Sequence, residues 1–398
     1  MDYHATTPVD PRVLEAMLPY FTEEFGNPSS VDHVYGSKAA NGVEKAREQA
    51  GKLINASPME IIFTSGATES NNIAIQGIAK AYQGKGRHII TCTTEHKAVL
   101  DTCRHLESLG WSVTYVPVDR YGLVDLQRME GSITDQTVLV SVAFANNEVG
   151  TIAHVAEIGK IARDHGVLFH TDAAQAVGHI PVDVEGMNID LMSMSAHKVY
   201  GPKGIGALYL RRRGKKAELD PITYGGGQEK RLRPGTLNVP AIVGMGKALD
   251  LAGKEMPSEG QRLSSWTSKM KNEFLNQIEL AEQNGHPTRK LPHNLNMCFQ
   301  GVESKAIIQA VSSEIAISAG SACTTESVEP SHVILALGYD ERRAHSSIRF
   351  GLGRFNTQEE IDFVVDRIVD TVTRLRRIRS SYPGQSAEGK MFPTSLFP

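Results

Sequence analysis

From the start to about residue 250 the chain alternates short β-branched apolar runs with amphipathic stretches, and this rhythm limits the fold more than any other feature. Candidate strands fall at Glu60–Thr64, His88–Thr91, Val113–Val116, Val138–Phe144, Val167–His170, Leu191–Ser193 and Gly206–Leu210. They are short, apolar on both faces, and bounded by Gly or charged residues, as strands of a buried parallel sheet are. Helical patterns lie between them at Lys38–Ile54, Asn72–Tyr82, Ala98–Leu109 and Val155–Asp164. Strand–helix–strand repetition of this kind predicts an α/β doubly wound domain. After about residue 257 the rhythm changes. Gln261–Leu280 reads as one long helix, followed by a polar turn region, strands at Leu295–Phe299, Ile315–Ser318 and Ser347–Phe350, and helices at Ser304–Val311 and Thr357–Arg379. That predicts a smaller α+β domain and a loose tail rich in Ser, Gly and Pro.

The chain has 398 residues, enough to bury a large core without disulfide staples. Its 42 basic residues against 45 acidic ones leave a net charge of −3, so no basic excess points to nucleic acid as a partner. The longest apolar run, Val138–Ala145, is interrupted by Ser141 and is far short of the roughly 20 residues a membrane span needs. No basic segment followed by an apolar one opens the chain, so no secretory signal is read. Four cysteines in so long a chain do not form a disulfide framework, and a reducing, cytoplasmic compartment is the expectation.

The strongest chemical signal is Ser193–Gly204, where a strand runs into Ser195-Ala-His197-Lys198 and a Gly/Pro turn. The carboxyl edge of a parallel sheet is where such folds place ligands. A desolvated lysine there forms a Schiff base with an aldehyde; the alternative is a solvated turn lysine. Asp172 ends another strand, and Gln175 follows one helical turn later. A pyridoxal phosphate enzyme needs a carboxylate against its ring nitrogen, although an aspartate here also suits an ordinary helix N-cap. Thr64–Asn71 follows a strand and opens an apolar helix, which fits either a phosphate cradle or simply a well-capped helix. Gly351-Leu-Gly353 lacks the third glycine of a dinucleotide fingerprint. Cys92, His96, Cys103 and His105 do not have zinc-site spacing, so no metal is expected.

With these motifs in view, the chain resembles the fold-type-I pyridoxal phosphate enzymes of the class-V aminotransferase group, and specifically the bacterial NifS/IscS cysteine desulfurases. The matching stretches are His4–Pro8, Phe25–Ser30, Phe63–Asn71, Thr94–Val99, Asn146–Gly150, Asp172–Gln175, Ser195–Gly201, Gly225–Thr236, Ser318–Thr325 and Ser346–Phe350. They occur in the family's order and span nearly the whole chain. The resemblance implies a mainly parallel sheet in a large cofactor-binding domain over residues 11–257. Residues 1–10 and 258–379 would form a small α+β domain carrying the Cys323 loop, with 380–398 as the tail.

Residue by residue, the resemblance implies that Lys198 holds the cofactor as a Schiff base and that Asp172 and Gln175 set the ring's electronics. His96 would stack on the ring and move protons. Ala67, Thr68, Ser195 and His197 would bind the phosphate, and Thr236 would reach the phosphate of a neighbouring subunit in a homodimer. Asn147, which also lies beside the cofactor, and Arg349 would hold the carboxylate of L-cysteine. Cys323, in a small-residue segment that reads as a mobile loop, would take the sulfur as a persulfide and pass it to an acceptor such as an iron–sulfur scaffold protein. Without the other motifs, a cysteine in such a segment reads first as a bystander thiol. A selenocysteine lyase and a non-catalytic scaffold or delivery protein of the same fold are the alternatives. The chain departs from the pattern at Ala319, where relatives often have serine, and in its tail from Gly384, which puts the identity of the acceptor in doubt. It also opens directly at Met1-Asp-Tyr-His, so its start is read as trimmed.

Overall fold

Successive residues of each central strand go to opposite apolar layers. Ile61, Phe63, Ile90, Phe169, Met192 and Tyr209 pack into one cluster, while Ile62, Ile89, Leu168, Leu191 and Leu208 pack into another. A strand alternates its side chains across the sheet, so a sheet covered on both faces requires continuous apolar runs. This is why the strands carry no polar alternation. The computed structural model describes residues 1–214, 217–320 and 329–381.

Ten strands are described: β1 (Ile61–Thr64), β2 (His88–Cys92), β3 (Ser112–Val116), β4 (Thr137–Ser141), β5 (Leu168–Asp172), β6 (Leu191–Ser195), β7 (Gly206–Leu210), β8 (Ala281–Gln283), β9 (Asn294–Phe299) and β10 (Ser347–Gly351). The helices that accompany the first seven are α1 (Pro11–Met17), α2 (Pro19–Thr22), α3 (Val34–Leu53), α4 (Ala67–Tyr82), α5 (Lys97–Ser108), α6 (Leu126–Gly131), α7 (Val155–Asp164) and α8 (Val239–Gln277). Beyond them lie α9 (Ser304–Val311), α10 (His332–Ala336), α11 (Glu341–His345) and α12 (Gln358–Ser381). None of the described helices is long and apolar enough to cross a membrane.

The large sheet has the order β1-β7-β6-β5-β4-β2-β3. The pairs from β3 through β6 are parallel, whereas β7 runs antiparallel to both β6 and β1. The connection from β6 to β7 is ten residues long and holds no α-helix, so the two pair as neighbours of opposite sense rather than through a helical crossover. Because β7 is reversed, β1 points the same way as β6. The carboxyl ends of β1, β2, β4, β5 and β6 therefore share one edge.

The second sheet, β10-β9-β8, is antiparallel. It packs with α9, α12 and the distal half of α8 around Phe274, Phe299, Ile307, Phe350 and Ile368. Two sequence expectations need correction. The helix expected over Gln261–Leu280 is the second half of α8, which continues through the exposed Pro257. The strand expected at Ile315–Ser318 reduces to a single bridge between Ser318 and Arg349, because Ile315 and Ile317 face the apolar cluster without a ladder to join.

Candidate active site

The sheet's carboxyl edge collects most of the expected residues. Ala67 and Thr68 follow β1, His96 follows β2, Asn147 follows β4, Asp172 and Gln175 end and follow β5, and Ser195, His197 and Lys198 end and follow β6. In sequence they are scattered; parallel strand pairing brings them together.

Asp172 is buried and receives two hydrogen bonds, from Asn71 Nδ2 at 2.7 Å and from the Ala174 N–H at 3.0 Å. These two donors fix the orientation of the carboxylate at the end of β5. Gln175 is buried, with Oε1 2.9 Å from His4 Nδ1. Lys198 stands in a single-turn 3₁₀ segment just past β6, and its Nζ donates to the carbonyls of His4 and Ala5 at 2.6 and 2.7 Å. The chain's opening residues thus lie against the lysine. His197 is held to Thr6 Oγ1 at 3.1 Å, and burial, aided by Lys198 and Lys203, pushes its imidazole down to about 4.

The turn from β1 into α4 fits a phosphate. Gly66 is the N-cap of α4 and no side chain caps the helix, so the first-turn N–H groups stay available. Gly66 has φ +153°, and a Cβ at Gly206 would fall 2.6 Å from its Cα, so both positions need glycine. Ser195 Oγ lies 3.9 Å from where a Gly66 Cβ would project, next to the cradle. An uncapped helix start, a buried carboxylate with two donors and a lysine on one edge of the sheet match the anion, the ring nitrogen and the aldehyde of pyridoxal phosphate.

His96 is the N-cap of α5, its Nδ1 accepting from the Ala98 N–H at 3.1 Å. With Thr68, Asn72 and Thr102 it lines a cleft of about 420 Å³, whose lining does not include Lys198, Asp172 or Gln175. Arg349 on β10 is buried; its guanidinium donates to the Asn147 carbonyl at 2.8 Å, to Asp2 Oδ1 at 3.1 Å and to Ser318 Oγ at 3.3 Å. Its Nε has no partner among the described residues, which leaves one buried donor for an incoming anion. Thr236 is exposed and not part of either cleft lining. Cys323 lies outside the described residues.

Three residues of the site escaped the sequence reading of roles: Asn71, His4 and Asp2. Asn71 lies within the cradle motif, one turn beyond Thr68, and that spacing was its only sequence signal. Glu95, next to His96, is fully buried, and burial pushes its carboxyl up to about 8.

Comparison with known proteins agrees with this geometry. The class-V aminotransferase family model matches residues 1–364. The chain is 52% identical over 385 residues to the cysteine desulfurase IscS of Anaeromyxobacter dehalogenans, covering 96% of this chain and 94% of that protein. Among solved structures, a NifS-like protein superposes with a TM-score of 0.88 at 38% identity, covering 94% of this chain and 99% of that one. A structure described as SspA in complex with cysteine gives 0.78 at 40% identity, covering 89% and 99%. The chain belongs to the class-V aminotransferase family, and within it to the pyridoxal-phosphate-dependent cysteine desulfurases.

Proposed function

We propose that Lys198, Asp172, Gln175, His96, Asn147, Ser195, His197 and the first turn of α4 at Ala67 and Thr68 hold the cofactor. In the same reading Asn147 and Arg349 receive the carboxylate of L-cysteine, and Cys323 takes its sulfur. The observation that supports this most is the convergence of five strand ends, which sets Lys198 beside Asp172 and the uncapped start of α4 on one edge. When bound, pyridoxal phosphate supplies an electron sink for the pair left on the substrate's α-carbon.

The protein's own groups do the rest. The Lys198 amine accepts the α-proton at Nζ. His96 spends Nδ1 on its own helix, so Nε2 is the nitrogen that faces proton transfer. Arg349, already oriented by Asn147 and Asp2, has its buried Nε–H left to donate to a carboxylate. The Cys323 thiolate attacks the substrate sulfur. A sulfur–sulfur bond forms, the substrate's carbon–sulfur bond breaks, and protonation of the carbon skeleton gives alanine. A free thiol titrates at about 8.5, so a neighbouring base must take its proton near neutral pH. Ser318, five residues before Cys323, exchanges backbone hydrogen bonds with Arg349. Five residues of chain reach at most about 18 Å, which tethers the sulfur nucleophile to the carboxylate site.

The persulfide then passes to an acceptor protein, with an iron–sulfur scaffold as the leading candidate, in the cytoplasm. Ala319, Gly320, Glu329 and Pro330, which flank Cys323 in sequence, line a cleft of about 460 Å³ with Lys97 and Arg104, a surface that an acceptor could use. A homodimer is supported by the exposed apolar residues Leu14, Leu18, Phe21, Phe25, Val31 and Val34, clustered in sequence over α1, α2 and the start of α3. Thr236, exposed here, is then free to enter a partner's site. The division into two domains near residue 257 is supported by the separate apolar clusters on either side of it.

The test is a pair of variants. Lys198→Ala loses the visible absorption of lysine-bound cofactor; an unchanged band overturns the lysine assignment. Cys323→Ser keeps that band yet releases no sulfide from cysteine in the presence of a thiol reductant. Wild-type turnover in that variant removes the nucleophile.

A further inference from the structure

Three histidines stack face to face where the two halves of the chain meet. His4 lies 4.4 Å from His293 with ring planes 15° apart, and His293 lies 4.0 Å from His179 at 26°. All three are buried. His179 donates Nε2–H to the Lys198 carbonyl at 2.8 Å, because a carbonyl can only accept. The same logic fixes His4. The Gln175 amide nitrogen donates to the His4 carbonyl at 3.3 Å, which puts Gln175 Oε1 toward the ring. An amide oxygen only accepts, so His4 carries its proton on Nδ1. Its Nε2 is buried without a partner among the described residues. Burial holds this imidazole well below its usual range, and the facing charges of Arg349 and Lys198, with His179, act in the same direction. His4 is therefore neutral, in one tautomer, donating one hydrogen bond to Gln175. Gly351 leaves room for its ring, since a Cβ there would fall 2.8 Å from His4 Cδ2.

We propose that His4 is a positioning residue whose Nδ1–H fixes the orientation of the Gln175 amide, so that the amide's second N–H, and not its oxygen, is presented to the cofactor's phenolic oxygen. This rests on the reading of Gln175 as the partner of that oxygen. With the oxygen turned inward, two acceptors would meet. Without the His4 ring only the longer bond from the amide nitrogen to the main-chain carbonyl of residue 4, 3.3 Å, opposes a flip, and the hydrogen bond that favours the phenolate form is lost for part of the population.

The experiment is a pH titration of the visible band of the cofactor-loaded protein in four forms: wild type, Gln175→Ala, His4→Phe and His4→Asn. Losing the donor to the phenolate raises the midpoint by about one pH unit in Gln175→Ala. His4→Phe keeps a stackable ring but no donor and moves in the same direction. His4→Asn gives up the ring but keeps an amide donor near the Nδ1 position, and stays near wild type. A Gln175→Ala/His4→Phe double variant shifts no further than Gln175→Ala alone. If Gln175→Ala leaves the midpoint unmoved, the reading of Gln175 fails and the role of His4 falls with it. If Gln175→Ala shifts but His4→Phe does not, or if Phe and Asn shift alike, the positioning role alone is overturned. Should His4→Phe fail to fold, ¹⁵N-histidine spectra of the loaded wild type decide: a proton on His4 Nδ1 supports the proposal, and one on Nε2 overturns it.

Discussion

Glu95 sits fully buried between Cys92 and Ala143, taking a thiol hydrogen bond at 3.1 Å and a backbone N–H at 2.7 Å on one carboxyl oxygen. Its other oxygen has no partner among the described residues, so desolvation wins and the acid stays protonated up to about pH 8. The folded chain therefore binds a proton that the unfolded chain has already released above about pH 4.5. The contribution of Glu95 to stability therefore falls as pH rises from there to about 8, by at most about 1.4 kcal/mol per pH unit. Glu95→Gln, which cannot ionise, is expected to escape this loss. Denaturant melts across that range should show the variant gaining on wild type as pH rises. Asn71 makes the opposite kind of contribution. Asn71→Ala removes one of two donors from a buried carboxylate and should cost about 1.5–3 kcal/mol in unfolding free energy, with a displaced cofactor band as the second readout. The strand-end positions of Lys198 and Asp172 were legible in the sequence because a charged residue at or just past the end of an apolar strand is conspicuous. Glu95, Asn71 and His4 were not, because their meaning comes from partners 48, 101 and 171 residues away.

Helix α8 shows how an element can outrun its sequence signals. Gly253, Pro257 and Gly260 read as punctuation, and a boundary there was the natural expectation. Yet the same helix buries Met245, Leu249 and Ala252 in one cluster and Leu263, Trp266, Met270 and Phe274 in the other. Packing at both ends outweighs the cost of the proline, which is about 3 kcal/mol in a helix interior. Pro257→Ala, at an exposed position, should therefore raise stability by about 1–3 kcal/mol in denaturant unfolding. The seven central strands were legible because burial on both faces demands unbroken apolar runs. The direction of β7 was not, because an antiparallel strand and a parallel one have the same composition once both faces are covered.

At the scale of the whole molecule, the exposed apolar stretch over α1, α2 and the start of α3 is the feature a lone chain would find hardest to keep in water. The proposed dimer predicts that Leu18→Glu with Phe21→Glu sediments as a monomer where the wild type sediments as a dimer, with weaker cofactor retention, read by analytical ultracentrifugation and by the visible band. A dimer that persists would place the contact elsewhere. The class of the fold was written in the order of strands and helices. The meeting of the opening residues with Lys198 was not, since nothing in a run of ten residues says where in space it comes to rest. Finally, α8 at 39 residues is about 58 Å long, a single beam set into both hydrophobic masses. Severing the chain at its proline would break the beam rather than a seam. Halves expressed separately should therefore each be unsound, and heating the intact protein should melt both masses in one cooperative event.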